Sequence, residues 1–252
     1  MLKKLLRASR PAPLPAFAPA PNSRIYAIGD IHGCRAELDR LLTMIDADDA
    51  ARPAAETNLI FLGDLVDRGP DSAGVVERLR RLAQEREHVR FLKGNHEELF
   101  LHALSGAKDA LRMFCRVGGK ETVLSYGVSR EEYDLLDYPQ LAERMDALVP
   151  EAHRTFLAGF EDMIVSGDYA FVHAGIRPDV PLDDQRASDL RWIRESFLEH
   201  RGAHPKMIVH GHTITSDVDR RANRIGVDTG AYASGKLTAL GIEGGETWIL
   251  NT

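Results

Sequence analysis

The sequence predicts an α/β fold in which two packed, mixed β-sheets are flanked by helices. Two features predict it. Strand-like apolar runs alternate with helical patterns in the first part of the chain, and short apolar runs separated by glycine turns return in the last part. With 252 residues, of which 44% are hydrophobic, the chain is long enough to bury a substantial core.

The first part of the chain reads as strand, helix, strand, helix, strand. In the first helix Leu38, Leu41 and Leu42 recur at helical spacing, and the apolar run before it ends at a glycine. The strands are predicted at residues 25–28, 58–62 and 89–92, and the helices at residues 35–45 and 72–85. Because strands that alternate with helices pair in parallel, this order indicates a βαβαβ core.

The rest of the chain divides into a helical segment and a second set of strands. Residues 97–159 are expected to form a helical insertion beside the functional site. Strands are predicted after it at residues 160–165, 169–172, 207–209, 225–227, 237–242 and 247–250. Their short glycine-containing turns favour an antiparallel or mixed sheet. Residues 23–252 are therefore expected to form a single domain, preceded by a flexible Pro/Ala-rich tail at residues 1–22.

Charge and cysteine content argue against several classes of protein. The net charge of −6 does not fit a general nucleic-acid binder, which needs a basic surface. Two cysteines are too few for a disulfide framework and indicate a cytoplasmic protein with reduced thiols. No apolar run approaches the roughly 18 residues of a membrane span, so no membrane-spanning helix is expected.

Side chains that can bind metals follow the predicted strands, in short clusters that each contain a glycine. They are Asp30, His32, Asp64, Asn95, His96, His173 and His212. Because ligands bind at the carboxyl ends of strands in open α/β sheets, we expect these side chains at one rim. Any one of them alone is better explained as a turn residue, a helix cap or a core histidine. Five glycine-flanked clusters at strand ends, taken together, favour a metal site.

Five segments, in this order, resemble the calcineurin-like metallophosphoesterases and specifically their phosphoprotein phosphatase branch. They read GDIHG at 29–33, GDLVDRG at 63–69, GNHE at 94–97, HAG at 173–175 and GHT at 211–213. The resemblance runs from about residue 25 to the C-terminus. It implies that family's β-sandwich fold around the βαβαβ core.

The resemblance also implies a site for two divalent metal ions. The ligands would be Asp30, His32 and Asp64 for one ion, and Asp64, Asn95, His173 and His212 for the other. A carboxylate such as Asp64 can bridge two ions about 3.5–4 Å apart, and a water bound to both would be the hydroxide nucleophile. Mn²⁺ is the expected ion, with Fe or Zn²⁺ as alternatives.

Four catalytic residues are implied in the same way: His96, Asp67, Arg68 and Arg194. His96 would act as general acid and Asp67 would orient it. Arg68 and Arg194 would grip the phosphate, because a planar guanidinium binds two oxygens without titrating.

Two assignments keep an alternative. Arg191 competes with Arg194, because the segment that holds both matches the family only loosely. His210 stands where the protein phosphatases carry an arginine. We interpret His210 as a structural residue, and a metal contact through His210 is the alternative.

The predicted reaction is hydrolysis of phosphate monoesters, with phosphoserine or phosphothreonine on proteins as the first candidate substrate. The alternative is a symmetrical bis(5'-nucleosyl)-tetraphosphatase, which hydrolyses diadenosine tetraphosphate. That relative typically lacks the second Asp of GDLVxRG and reads GNHD, so Asp67 and Glu97 favour the monoesterase. A non-enzymatic scaffold is disfavoured because every expected ligand is present. The expected partner is a phosphorylated protein or a small phosphoester, and the oligomeric state is left open.

Overall fold

Two five-stranded sheets make up the centre of the computed structural model, which describes residues 17–252. The predicted α/β fold with two mixed sheets flanked by helices is confirmed. Within the described residues no helix combines the length and hydrophobicity needed to cross a bilayer. Most of the predicted tail, residues 1–16, lies outside the described residues.

The first sheet is built on the predicted βαβαβ core. Its strands are β1 (Ser23–Ile28), β2 (Glu56–Phe61), β3 (Val89–Phe91), β9 (Thr238–Glu243) and β10 (Glu246–Asn251). They lie in the order β10-β9-β1-β2-β3, with β1, β2 and β3 parallel and β9 antiparallel to β1. The crossovers are helices α1 (Arg35–Ala50) and α2 (Ser72–Glu85). The Asp71 side chain accepts a hydrogen bond from the Gly74 amide at 2.9 Å, which caps α2 where it begins.

The second sheet contains the remaining strands. They are β4 (Met163–Ser166), β5 (Tyr169–Val172), β6 (Met207–His210), β7 (Asp219–Arg220) and β8 (Arg224–Gly226), in the order β4-β5-β6-β8-β7. Strands β5, β6 and β8 are parallel. The expectation that all strands after the helical segment share one sheet is wrong. The hairpin of β9 and β10 pairs with β1, because β1 is buried along its length and the backbone groups on its edge away from β2 need hydrogen-bond partners.

An apolar layer fills the space between the sheets. Ile25, Ile60 and Leu240 from the first sheet meet Phe171 and Val209 from the second, and all are nearly inaccessible. The other face of the first sheet packs under α1 and α2. A sheet that is buried on both faces needs strands that are apolar at consecutive positions. That pattern predicted β1 and β5 from the sequence.

Six helices connect the two sheets. They are α3 (Asn95–Leu104), α4 (Lys108–Phe114), α5 (Lys120–Ser125), α6 (Arg130–Leu135), α7 (Tyr138–Leu148) and α8 (Glu151–Ala158). Stacked rings of Phe100 and Phe114, 5.4 Å apart, hold α3 against α4. Three short helices follow later in the chain: α9 (Ala187–Trp192), α10 (Glu195–Leu198) and α11 (Ala231–Ser234).

The described end of the predicted tail is anchored to the second sheet. The Ala18 amide donates to the Asp168 carboxylate at 3.0 Å, and the Asp168 amide donates back to the Ala18 carbonyl at 2.8 Å. The ring of Phe17 packs against Tyr169, with centroids 6.2 Å apart. These reciprocal hydrogen bonds place residues 17–22 beside the turn between β4 and β5.

Candidate metal centre

The predicted ligands meet where the strands of both sheets end. Asp30, Asp64 and Asn95 follow β1, β2 and β3, while His173 and His212 follow β5 and β6; all are buried. Non-glycine residues with positive φ cluster here: in the described residues they are His32, Asp64, Asp67, Arg68, His212, Asn22 and Asp179. Five of these seven lie in the metal centre. Such strained backbone concentrates at functional sites, where surrounding contacts hold it.

His173 contacts the other three predicted ligands of the second ion. His173 Nε2 is 3.4 Å from Asp64 Oδ1, 3.0 Å from Asn95 Oδ1 and 3.2 Å from His212 Nδ1. Asp64, His173 and His212 are close enough together to hold a single ion. Two nitrogens and two or more oxygens around one point are a donor set that suits Mn²⁺, Fe or Zn²⁺.

The other oxygen of Asp64 faces a second group of side chains. Asp64 Oδ2 is 3.6 Å from His32 Nε2 and 3.8 Å from His96 Nε2, and these three residues form a second potential metal cluster. Asp64 thus belongs to both clusters through different oxygens, as a bridging ligand would. Asp30 belongs to neither. Both of its carboxylate oxygens instead accept from the His212 amide, at 3.1 Å.

The histidine rings are oriented as metal ligands are. His32 Nδ1 lies 2.7 Å from the Val66 carbonyl, and His173 Nδ1 lies 2.7 Å from the Leu62 carbonyl. A carbonyl can only accept, so each Nδ1 carries a proton and each Nε2 faces the clusters. His212 Nε2 is buried without a hydrogen-bond partner in the structure. These donors fit two metal ions.

Burial and opposite charges set the protonation of the centre. Burial lowers the pKa of His32 to about 3, and burial together with neighbouring His173 lowers that of His212 to about 2. Both imidazoles are therefore neutral, as metal binding requires. Burial also opposes protonation of His173, but Asp64 and Asp30 outweigh it and raise the pKa to about 10. Burial would raise the pKa of Asp64, yet His173 and His96 hold it well below its usual range.

Asp67 and His96 form a buried pair beside the clusters. His96 Nδ1 lies 2.6 Å from Asp67 Oδ2, and the Thr122 hydroxyl donates to Asp67 Oδ1 at 2.6 Å. Burial disfavours the charged imidazole, but the carboxylates of Asp64 and Asp67 outweigh it, so the pKa of His96 is raised. An imidazole with a raised pKa can serve as a general acid at neutral pH.

Arg68 lies between two histidines of the centre. Its guanidinium nitrogens are 2.8 Å from His32 Nε2 and 3.0 Å from His96 Nε2. Since an arginine only donates, His32 Nε2 accepts here, and His96 Nε2 can accept only while the His96 ring is neutral. The positive charge of the Arg68 guanidinium therefore lies between the two histidines, close to the buried carboxylates of the centre.

Arg191, Arg194 and His210, whose assignments kept an alternative in the sequence, have different surroundings in the structure. Arg191 is engaged in ion pairs with Glu98 and Asp162, both at 2.6 Å. Arg194 is exposed at the beginning of α10, and its charge contributes to lowering the pKa of His212. His210 packs its ring edge-on against Phe197, with centroids 5.1 Å apart, and lies in neither metal cluster.

Two buried acids of the centre were not assigned a role from the sequence. Glu97 accepts from the amides of Asp64, Leu65 and Gly94, at 2.8, 2.7 and 3.0 Å, and so ties the loop after β2 to the start of α3. Asp228 is 1% exposed, and its Oδ2 has no partner. Asp228 follows the predicted strand at residues 225–227 and precedes Gly230. The rule of a strand end beside a glycine, applied once more, would have selected it.

Comparisons with known proteins agree with this geometry. Residues 23–237 match the family model described as calcineurin-like phosphoesterase. The bis(5'-nucleosyl)-tetraphosphatase PrpE [asymmetrical] of Bacillus mycoides is 26% identical over 234 residues, covering 84% of this chain and 88% of the relative. The symmetrical bis(5'-nucleosyl)-tetraphosphatase of Paracidovorax citrulli is 34% identical over 176 residues, covering 70% of this chain and 48% of the relative.

Solved structures share the fold. One described provisionally as a diadenosine tetraphosphatase has a TM-score of 0.65 at 23% identity, covering 92% of this chain and 95% of that one. A cold-active protein tyrosine phosphatase has a TM-score of 0.54 at 19% identity, covering 92% and 81%. The family model extends from β1 to the residue before β9, and the predicted metal ligands all fall within it. The chain therefore belongs to the calcineurin-like metallophosphoesterases, whose members use a dinuclear metal site.

Proposed function

We propose that this metallophosphoesterase hydrolyses dinucleoside tetraphosphates. The observation that carries the proposal is the match to relatives named bis(5'-nucleosyl)-tetraphosphatase, PrpE of Bacillus mycoides among them, over 84% of this chain and 88% of the relative. The symmetrical form of this reaction is the alternative that the sequence left open. The match extends over nearly the whole relative rather than over the five motifs alone, which supports the proposal.

The metal ions would be held by the side chains that the strand ends bring together. We assign His32, Asp64 and Asp30 to one ion, and Asp64, Asn95, His173 and His212 to the other, with Mn²⁺ as the first candidate and Fe or Zn²⁺ next. Two bound divalent ions would supply Lewis-acid activation of the phosphate and of a water nucleophile. Because Asp30 now points at the His212 amide, its role is the least direct of the set.

The chain's own residues would hold the substrate and move the proton. Arg68 is placed to bind phosphate oxygens beside His32 and His96, and Arg194 stands exposed on the side of His212. His96 would donate its Nε2 proton to the oxygen that leaves, while Asp67 stabilises the charged ring through Nδ1.

A second candidate is the phosphomonoesterase, and the Asp67–His96 pair is what favours it. A nucleotide leaves through a phosphate oxygen that needs little protonation, whereas a serine leaves as an alkoxide that needs a strong general acid. A buried carboxylate 2.6 Å from His96 is an arrangement suited to the harder reaction. Phosphoserine or phosphothreonine on a protein, or a small phosphoester, remains the substrate of this alternative.

The deciding experiment compares both substrates on one preparation. The protein is stripped with a chelator and reloaded with Mn²⁺, and hydrolysis of diadenosine tetraphosphate is compared with that of a phosphoserine peptide. We expect the larger kcat/KM for the dinucleotide. Chromatography of the products then assigns the cleavage, since two ADP indicate symmetrical attack and ATP with AMP asymmetrical attack. A larger kcat/KM for the phosphopeptide would overturn the proposal in favour of the monoesterase.

A further inference from the structure

An exposed tyrosine stands at the rim of the metal centre. Tyr232 is 40% exposed, yet its ring meets two residues of the site. The ring of His32 lies edge-on to it, with centroids 5.4 Å apart, and the guanidinium carbon of Arg68 lies 5.1 Å from its centre. Tyr232 therefore borders both a proposed metal ligand and the proposed phosphate clamp, while much of its ring faces solvent.

Hydrogen bonds on both sides hold the turn that carries Tyr232. Helix α11 begins after Gly230, which has a left-handed φ of 67°, and the Gly230 amide donates to buried Asp228 at 2.8 Å. The Ser234 hydroxyl donates to the Thr229 carbonyl at 2.9 Å and closes the turn on the other side. The exposed ring thus projects from a backbone that is fixed before any substrate arrives, as a binding platform needs.

A second exposed apolar side chain lies next to this turn. Ile214 is 47% exposed and comes two residues after His212. A Cβ atom at Gly230 would lie 3.0 Å from Ile214 Cγ2, so the isoleucine packs directly beside the start of α11. Tyr232 and Ile214 together form what we call the apolar rim, beside His32 and His212.

The position of the apolar rim indicates what it binds. A phosphate bound by Arg68 would hold its substituent close to Tyr232, because the Arg68 guanidinium lies 5.1 Å from the ring centre. A seryl side chain offers no flat apolar group to this surface, whereas a nucleoside offers its base, and bases stack on aromatic rings whatever their sequence. An arginine close to the ring also strengthens such a platform through its interaction with the aromatic electrons.

We propose that the apolar rim receives a nucleobase of the substrate, and that Tyr232 selects nucleotide phosphoesters over esters without a base. The inference rests on the proposed function and adds to it the element that binds the base. Ile214 supports one edge of the base, and Tyr232 supplies the stacking face.

The test measures binding and needs no turnover. Isothermal titration calorimetry gives the Kd of AMP and of inorganic phosphate for the Mn²⁺-loaded protein and for its Tyr232→Ala and Tyr232→Phe variants. We expect Tyr232→Ala to weaken AMP binding at least about tenfold, which corresponds to about 1.4 kcal/mol. Phosphate binding should stay unchanged, and Tyr232→Phe should retain the affinity for AMP because it keeps the ring.

Tyr138→Ala is the matched control. Tyr138 is also an exposed tyrosine, 47% accessible, and also lies beside an arginine, with Arg112 5.8 Å from its ring centre. It begins α7 among the connecting helices and contacts none of the proposed ligands. Its removal should leave both affinities as in the unmodified protein.

Three results would overturn the inference. Tyr232→Ala could weaken AMP and phosphate equally, which would mean that the ring acts only through Arg68. It could leave AMP binding unchanged, or the unmodified protein could bind AMP no more tightly than phosphate. The proposed function fails separately. A selective loss of AMP affinity without any hydrolysis of diadenosine tetraphosphate would support the base site and reject the tetraphosphatase. Hydrolysis of diadenosine tetraphosphate with an unchanged KM in Tyr232→Ala would support the tetraphosphatase and reject the base site.

Discussion

At the scale of single residues, His96 and Asp64 have different proposed roles. The Asp64 side chain faces both metal clusters, while His96 combines a contact to Asp67 with a position near Asp64 Oδ2. His96 also holds Asp64 through its backbone, since its amide donates to Asp64 Oδ1 at 3.0 Å. That backbone contact survives any substitution of the imidazole, so the acid and the metal ligand can be tested independently.

Replacing His96 should impair the proton transfer and spare the metals. We expect His96→Asn to lower kcat about 10²- to 10⁴-fold, as loss of a general acid does. The loss should be larger for a phosphoserine peptide than for diadenosine tetraphosphate, because the alkoxide depends more on the proton. Steady-state kinetics on both substrates, with metal content from elemental analysis, measures this. Loss of an ion in this variant would mean that His96 is a ligand.

Replacing Asp64 should remove both ions together. Asparagine keeps the shape of the side chain and tolerates the left-handed φ of 51° found here, so the loop after β2 should persist. An amide offers one oxygen where the carboxylate offered two, and it has no negative charge. We expect Asp64→Asn to lose nearly all activity and to bind less than one Mn²⁺ per chain after dialysis. Two tightly bound ions with ordinary turnover would contradict the bridging role.

At the scale of elements, the connecting helices reach the active centre through one turn. The backbone amide of Arg68 donates to the Gly118 carbonyl at 3.0 Å, in the turn Cys115–Gly119 between α4 and α5. Gly118 has a φ of 117°, and a Cβ there would lie 2.7 Å from Arg68 Cγ. The helical segment therefore sets the position of the phosphate clamp, and only glycine leaves the room for it.

Substituting Gly118 should displace Arg68. We expect Gly118→Ala to destabilise the protein by about 1–3 kcal/mol through backbone strain and to raise the KM of the substrate as well. Gly127→Ala is the matched control, because Gly127 has a similar φ of 104° but no atom within 4 Å of the added Cβ. Urea unfolding and kinetics on both variants separate strain from displacement. Equal KM values in the two variants would show that the turn does not position Arg68.

What the sequence could predict at this scale depended on how local the signal was. Helix α2 was predicted with its observed bounds, Ser72–Glu85, because its apolar stripe lies within one segment. Strand β7 was missed because its two residues, Asp219 and Arg220, are polar and paired only with β8. The partner of β9 was misplaced, since pairing across two hundred residues leaves no mark on β9 itself.

The candidate site could likewise be predicted only where the signal was local. The strand-end rule selected seven side chains that the structure brings together, apart from the carboxylate of Asp30, which turns toward the His212 amide. The anchoring by Glu97 and the hydroxyl of Thr122 on Asp67 could not be predicted. Both depend on contacts between segments about thirty or more residues apart, which no local pattern records.

At the scale of the whole molecule, the buried charges at the junction of the two sheets link stability to pH and metal. Burial raises the pKa of Glu97 to about 7, and Asp64 and Asp30 raise that of His173 to about 10 against the opposing effect of burial. Each value lies above that of the same group in an unfolded chain, roughly 4.3 for Glu and 6.5 for His. Without metal, and above the pKa of histidine in an unfolded chain, the folded protein therefore holds more protons than the unfolded one.

The sign of the pH dependence follows from that excess of protons. A group whose pKa is raised by folding stabilises fully below its unfolded pKa and loses that contribution as pH rises through its folded pKa. The low pKa values of His32 and His212, about 3 and 2, act only below the unfolded value of roughly 6.5, so they are constant above pH 7. Between pH 7 and 10 the metal-free protein should lose stability as His173 gives up its proton.

Metal ions should reverse that loss, because they replace the proton on His173 and neutralise the carboxylates around it. We expect the Tm gained on adding Mn²⁺ to the chelator-treated protein to be several degrees larger at pH 9 than at pH 7. Calorimetry at both values, with and without Mn²⁺, measures it. In the metal-free Asp64→Asn variant the pH dependence should flatten, because the carboxylate that raises the pKa of His173 is gone. A gain in Tm that is equal at both pH values would mean that no proton is exchanged for the metal, and that the buried centre is already neutral before any ion binds.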